Sequence, residues 1–278
     1  MENYKLIGHS GCKLEIEERE DRLLVIKTSK NIEYNDRLKV QASKQKNFRH
    51  DFFKVPAVFF EENGDVDLYR FGMEYINGLT LSDHFRKIAI SDIEKIVQKF
   101  LKMVPNEYEF DSKAKDIFTN KITELEKKIE VSGDKTLSEA FEILKNSNWE
   151  HCIAGDCHGD MTLENIIYNG ENFYLIDFLD SFYDSWMIDF AKILQDVECK
   201  WSYRHDGQID ENLEIRLLIF KQMILDKLLS LENGKQILKT IYTILLINLL
   251  RIIPYTKDEY TKNYLLNEIK NVLNKVKE

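Results

Sequence analysis

Polar and apolar positions alternate along KLEIEERE, Lys13 to Glu20, which predicts a half-exposed strand. RLLVIKT, Arg22 to Thr28, is a more continuous apolar run and predicts a buried strand, with a tight connection at Glu20-Asp21 between the two. From Tyr34 to Phe48 the period lengthens to that of a helix through Leu38, Ala42 and Gln45. AVFFEENGDVDLYRFGMEYI returns to strand texture, and Asn63-Gly64 in its middle predicts a hairpin turn.

After Asn77-Gly78 the texture becomes helical. Thr80, with Asp83 three residues on, predicts one N-cap, and Ser91 with Glu94 predicts a capping box that opens IEKIVQKFLKMV. Two more helices are expected over Asp111 to Glu130 and Thr136 to Asn146. A short β interlude follows, first CIAG from Cys152, then IIYNGENFYLIDF as two strands joined at Asn169-Gly170. Helices resume at Trp186. The order predicts an α+β protein with a small β-rich lobe, residues 1–76, and a larger helical lobe, residues 77–278, that carries one embedded hairpin. ILKTIYTILLINLLRII, Ile237 to Ile253, is apolar enough to suggest a membrane span. Lys239, Asn248 and Arg251 interrupt it and it falls short of the roughly 20 residues a span needs, so a buried core helix is expected instead.

Composition narrows the setting. The 278 residues are 44% hydrophobic and 31% charged, with only 3 prolines and 11 glycines, so a packed chain without long linkers is expected. The net charge of −9 argues against a broad nucleic-acid surface. Nearly all of that excess lies after Ile76. Four cysteines without C-x-x-C spacing fit a reducing compartment, and MENYKLIGHS is too polar for a secretory signal, so a cytoplasmic protein is expected.

The candidate chemistry is concentrated in HGDMTLENIIYNGENFYLID, His158 to Asp177. Asp160 and Asn165 lie five apart before a strand, and Asp177 ends the strand that returns beside it. Two carboxylates and an amide oxygen are thereby expected together on a loop-rich edge. Mg²⁺ favours such hard oxygen ligands, usually one or two carboxylates plus substrate phosphates. A spare carboxylate nearby can accept a proton from an attacking hydroxyl. Each residue alone would be an ordinary turn residue; the set points to phosphoryl transfer.

These residues resemble the aminoglycoside phosphotransferase/choline kinase superfamily, relatives of the protein kinases. His158, Gly159, Asp160 and Asn165 match its H-G-D-x-x-x-x-N loop, Asp177 its metal-binding Asp after an apolar strand, and Asp189-Phe190-Ala191 its D-L/F-A helix start. The likeness is specific over about Ile153 to Ala191. It implies a two-lobed protein-kinase-like fold, ATP or GTP as phosphoryl donor, and Mg²⁺ held by Asn165 and Asp177. It further implies Asp160 as the base, with His158 and Asp189 as structural supports. In the N-terminal lobe it implies that Lys27 contacts nucleotide, that Gly8, Ser10 and Gly11 belong to a phosphate-covering loop, and that Glu74, Tyr75 and Ile76 read adenine.

One departure stands out. The helix Glu expected to pair with Lys27 is replaced by Gln41, so Lys27 must be held otherwise or reached by Glu33. A nucleotide-binding pseudokinase is therefore an alternative. A protein kinase is less favoured: Thr162 stands two residues after Asp160 where protein kinases carry Lys, Leu179 replaces the Gly of D-F-G, and Asp189 follows Asp177 too closely for a peptide-cradling segment. The expected acceptor is a hydroxyl-bearing small molecule, with Asp180, Asp184, Trp201 and Arg204 as candidate contacts.

Overall fold

The computed structural model describes residues 11–129, 131 and 133–277. They divide into two compact units that are discontinuous in sequence: one runs up to Leu81 and takes in Glu164–Asp180, and the other comprises Ser82–Leu163 and the chain from Ser181 onward. The hairpin expected among the helices thus belongs with the sheets, unlike the single cut at residue 76.

In the first unit, β1 (Lys13–Arg19) and β2 (Arg22–Thr28) pair antiparallel, with Arg19 opposite Arg22. Glu20 and Asp21 both take left-handed φ, 50° and 58°, as a two-residue turn that follows the strand twist requires. Helix α1 (Asn35–Asn47) buries Leu38, Gln41, Ala42 and Gln45, a single i, i+3, i+4, i+7 stripe. With Tyr69, Phe71 and Met73 of the sheet, Leu38 and Ala42 build the core of this unit. After the two-residue β3 (Phe53–Lys54), β4 (Val58–Asn63) and β5 (Tyr69–Glu74) complete a sheet in the order β1-β2-β5-β4.

The turn between β4 and β5 is longer than Asn63-Gly64 predicts. A 3-10 turn at Asp65–Asp67 intervenes, and the Gly64 N–H donates to the Leu68 carbonyl at 2.7 Å. Asn35 explains the extra length. Its amide donates to the Asp67 carbonyl at 2.8 Å and accepts the Tyr69 N–H at 2.9 Å, which ties the loop to the start of α1.

A second sheet, in the order β3-β8-β7-β6, contains β6 (Leu79–Thr80), β7 (Ile166–Tyr168) and β8 (Phe173–Leu175). The β7–β8 loop begins at Asn169-Gly170, where the Asn169 side chain accepts the N–H groups of Glu171 and Asn172. Gly78 leads into β6, and a Cβ there would lie 2.6 Å from the Tyr168 carbonyl oxygen. Backbone cannot yield as a side-chain tip can, so Gly78→Ala is expected to cost about 1–3 kcal/mol in a denaturant melt.

The second unit is built from α2 (Leu81–Phe85), α3 (Ile90–Leu101), α4 (Ala114–Lys128), α5 (Lys135–Lys145), α6 (Trp186–Val197), α7 (Glu211–Leu229), α8 (Gly234–Leu250) and α9 (Glu259–Lys277). Two local expectations are corrected here. Helix α3 starts before the anticipated box: Ala89 is its N-cap, without a side-chain cap bond, and Ser91 lies inside the helix. That start still places Ile93, Ile96, Val97 and Phe100 on one buried stripe. Cys152 to Gly155 form no strand; their backbone is tied by isolated bonds, Asp111 N–H to Cys152 and Gly155 N–H to Asp184.

Helix α8 lies in the centre of its unit, packed on α6, α7 and α9. Gly234–Tyr255 is apolar and long enough to cross a membrane by length and composition. Yet Ile237, Ile241, Ile244, Leu245, Ile247 and Leu250 are all fully buried by protein, which accounts for an all-round apolar helix.

Candidate active site

In the first unit the site begins with Lys27, on β2 between Leu14 and Phe71. It is 4% exposed, and a buried ammonium without a partner is costly. Its Nζ forms an ion pair with the Asp177 carboxylate and lies 3.5 Å from Gln41 Oε1. Glu33, the other anticipated partner, is exposed.

Several contacts fix Asp177. It follows β8 with φ +60°, a left-handed conformation that Asp tolerates better than most residues. Phe178 is buried next to it, its ring 5.2 Å from Phe48, and Lys44 of α1 donates to the Leu179 carbonyl at 3.2 Å. Across the hairpin the Ile176 N–H donates to the Asn165 carbonyl at 3.0 Å. Asn165 therefore lies opposite the residue that precedes Asp177, and the β7–β8 register brings an Asn and an Asp to one hairpin mouth. Such a donor set fits a magnesium ion that takes its remaining ligands from phosphates and water. Among the described residues no cluster of three or more His, Cys, Asp or Glu could hold a metal by itself.

The remaining first-unit candidates carry less. Gly8 and Ser10 lie outside the described residues. Gly11 is an exposed bend with φ +76°. Glu74 and Tyr75 donate their backbone N–H groups to Ala57 and Leu23, so both donors are committed to the sheet. Ile76 is buried beyond them, and Asp180 is exposed.

In the second unit the His158–Leu163 loop lies along α6. Ser185 caps this helix by accepting the Met187 N–H at 3.1 Å. All twelve α6 residues are buried, although Asp189, Lys192 and Asp196 are among them. At positions i, i+3 and i+7 these three share one face. Asp189 accepts the His158 and Gly159 N–H groups, each at 2.7 Å. Lys192 Nζ sits 2.9 Å from Asp160 Oδ1. Asp196 accepts the Leu163 N–H and, through its other oxygen, the Ser202 N–H and hydroxyl at 2.8 and 2.7 Å. One helix face thus holds residues 158, 159, 160 and 163. Within the loop, buried His158 accepts the Asp160 N–H on Nδ1 at 3.2 Å, and Gly159 takes φ +90°, where an L side chain would be strained.

Burial pushes the Asp160 carboxyl up, but the charge and hydrogen bond of Lys192 oppose it. With smaller contributions from His158 and Arg251, they hold the carboxyl below its ordinary value. Asp160 is therefore ionised at neutral pH.

The anticipated acceptor contacts do not gather at one place. Asp184 precedes α6, where its carboxylate accepts the Cys157 thiol at 3.2 Å. Trp201 and Arg204 follow the opposite end of this twelve-residue helix, roughly 18 Å away at 1.5 Å per residue. There the Arg204 guanidinium lies 4.0 Å over the Trp201 ring and donates to its carbonyl at 2.7 Å. Lys192 and Asp196 were missed in the sequence. Their signal was present: charges spaced by three and seven in a helix whose other positions are nearly all apolar.

No sequence-family model and no curated protein sequence matches the chain. Solved structures do. Aminoglycoside phosphotransferase APH(4)-Ia superposes over 98% of this chain and 93% of its own, with TM-score 0.63 and 11% identity. Choline kinase LicA from Streptococcus pneumoniae matches over 99% and 94%, with TM-score 0.55 and 16% identity. A proposed fructosamine-3-kinase from Haemophilus somnus matches over 97% and 91%, with TM-score 0.57 and 15% identity. A thermostable mutant of APH(4)-Ia has been solved with ADP and hygromycin B, and LicA with AMP. With these structures this chain shares an α+β, protein-kinase-like fold, built from a small sheet-rich lobe and a larger helical one.

Proposed function

We propose that the chain is a cytoplasmic phosphotransferase that moves the γ-phosphoryl group of ATP to a hydroxyl of a small molecule. The observation that carries this reading is the pairing of buried Lys27 with Asp177 at the hairpin mouth that also presents Asn165. The pairing supports the reading because it sets a cation suited to nucleotide phosphates beside a carboxylate suited to magnesium, with an Asn on the facing strand end. The solved relatives, named as kinases and phosphotransferases, support the same class of reaction.

Each residue then has a role. Asn165 and Asp177 would hold magnesium, which would offset charge on the nucleotide phosphates. Lys27 steadies those phosphates. Asp160, held ionised, orients the acceptor hydroxyl and takes its proton as the oxygen bonds to the γ-phosphorus. The bond to the β-phosphate oxygen breaks and ADP leaves. His158 and Asp189 support the loop. The acceptor class includes sugars, aminoglycosides and choline-like alcohols; APH(4)-Ia with hygromycin B and a choline kinase supply those two examples.

ADP production measured with magnesium against a panel of such alcohols tests the reading. One or more alcohols should raise turnover well above the rate without acceptor. ATP binding without turnover on any of them would favour a nucleotide-binding module instead. The 3.5 Å Gln41 contact, which gives Lys27 no second charge, favours that alternative.

A further inference from the structure

We propose that Lys192 is the positioning residue for Asp160, an ammonium delivered from α6 that fixes both the place and the charge of the base. The inference rests on the phosphotransferase reading of Asp160 and goes beyond it. Lys192 is 8% exposed, within a helix buried along its whole length. Burying a long cationic side chain costs rotamer entropy and hydration, so a mid-helix Lys ordinarily reaches for solvent. This one instead places Nζ 2.9 Å from Asp160 Oδ1. Its neighbours on the same face, Asp189 and Asp196, bind backbone N–H groups of the loop. Of the three, Lys192 is the one whose contact is the reacting side chain.

The charged and titratable groups that face Asp160 come from three elements: Lys192 on α6, His158 on its own loop, and Arg251 just past α8. Lys192 is in direct contact, and its contribution exceeds those of the other two. Without it, the opposition to burial is weakened and the carboxyl titrates at higher pH. Transfer needs the ionised form, so activity falls as pH drops through that titration. Loss of Lys192 must therefore move the acid limb of the pH–rate profile upward.

The experiment compares wild type, Lys192→Met, Lys192→Arg and Arg251→Met. At neutral pH, Lys192→Met should lower kcat about 10–100-fold, with KM for ATP within about twofold, and the deficit should shrink as pH rises. Lys192→Arg, which keeps the charge, should restore the wild-type limb, and Arg251→Met should move it less than Lys192→Met. Should Lys192→Met not fold, Lys192→Gln keeps a donor without charge and serves the same test. A uniform loss of kcat at every pH, or a limb unmoved in Lys192→Met, would overturn the proposal. Carbon-13 titration of the Asp160 carboxyl, assigned by its absence in Asp160→Asn, reads the same shift without turnover. If wild type transfers phosphate to no alcohol, the phosphotransferase reading fails while this titration still decides the place of Lys192.

Discussion

Asp160→Asn should lower kcat for transfer to the best alcohol by about 10²–10⁴-fold while Kd for ATP stays within about twofold. Asn has the same shape and can still meet Lys192 through its amide oxygen, so the loop bonds from Asp189 and Asp196 remain. What is lost is the capacity to accept a proton. The substitution also removes the ion pair with Lys192, in which Asp160 is 28% exposed. The Asp160 carboxyl lies below its ordinary value of 3.8. Its stabilising effect is therefore present above that value and is lost as pH falls through the lower, folded one. The gap in Tm between wild type and Asp160→Asn should accordingly close on acidification. A variant that keeps wild-type kcat would remove Asp160 from its role.

Asp177→Asn should be the second severe change, and its signature differs. Removal of this carboxylate takes away one proposed magnesium ligand and the counter-charge of Lys27 together. Affinity for ATP with magnesium should drop about 10–100-fold, and kcat should fall with it. Stability should fall too, because among the described residues Lys27, at 4% exposure, keeps Gln41 as its remaining side-chain partner. Breaking a fully buried pair costs about 3–5 kcal/mol; with Asp177 34% exposed in its side chain, about 1–3 kcal/mol is expected here. Adding Lys27→Met should recover part of that stability and none of the activity. A melt with and without ATP and magnesium measures both effects. An ATP-induced shift in Asp177→Asn equal to that of wild type would contradict the metal assignment.

Much of the fold can be read from local pattern, and the exceptions have physical causes. The Lys13 to Thr28 hairpin was legible because alternation, a buried run and a two-residue polar turn agree. The Asn63-Gly64 turn misled because Asn35, far off in sequence, clamps a longer loop. Strands β3 and β6 have two residues each, too few to show a period, and exist only through pairing with β8 and β7. Ser91-Glu94 has capping spacing, but the helix start is set by the apolar stripe behind it.

The site divides the same way. His158 to Asn165 were legible because their chemistry is contiguous, and Asp177 because a short hairpin returns it. The partner of Lys27 was not, since the pair spans 150 positions and replaces an expected helix Glu. Lys192 was not legible because it lies one helical turn beyond Asp189, where the recognisable motif ends. A charge at the next turn of an apolar helix has to be bound to something, and here it is bound to Asp160.

If the proposed chemistry holds, the γ-phosphoryl group of ATP arrives on an alcohol whose proton Asp160 takes. Phosphorus-31 NMR of ATP, magnesium and the best panel alcohol follows this directly. A phosphomonoester signal should rise in step with ADP for wild type and be absent on the same timescale for Asp160→Asn. Equal release of inorganic phosphate by both proteins, with no phosphomonoester, would contradict it.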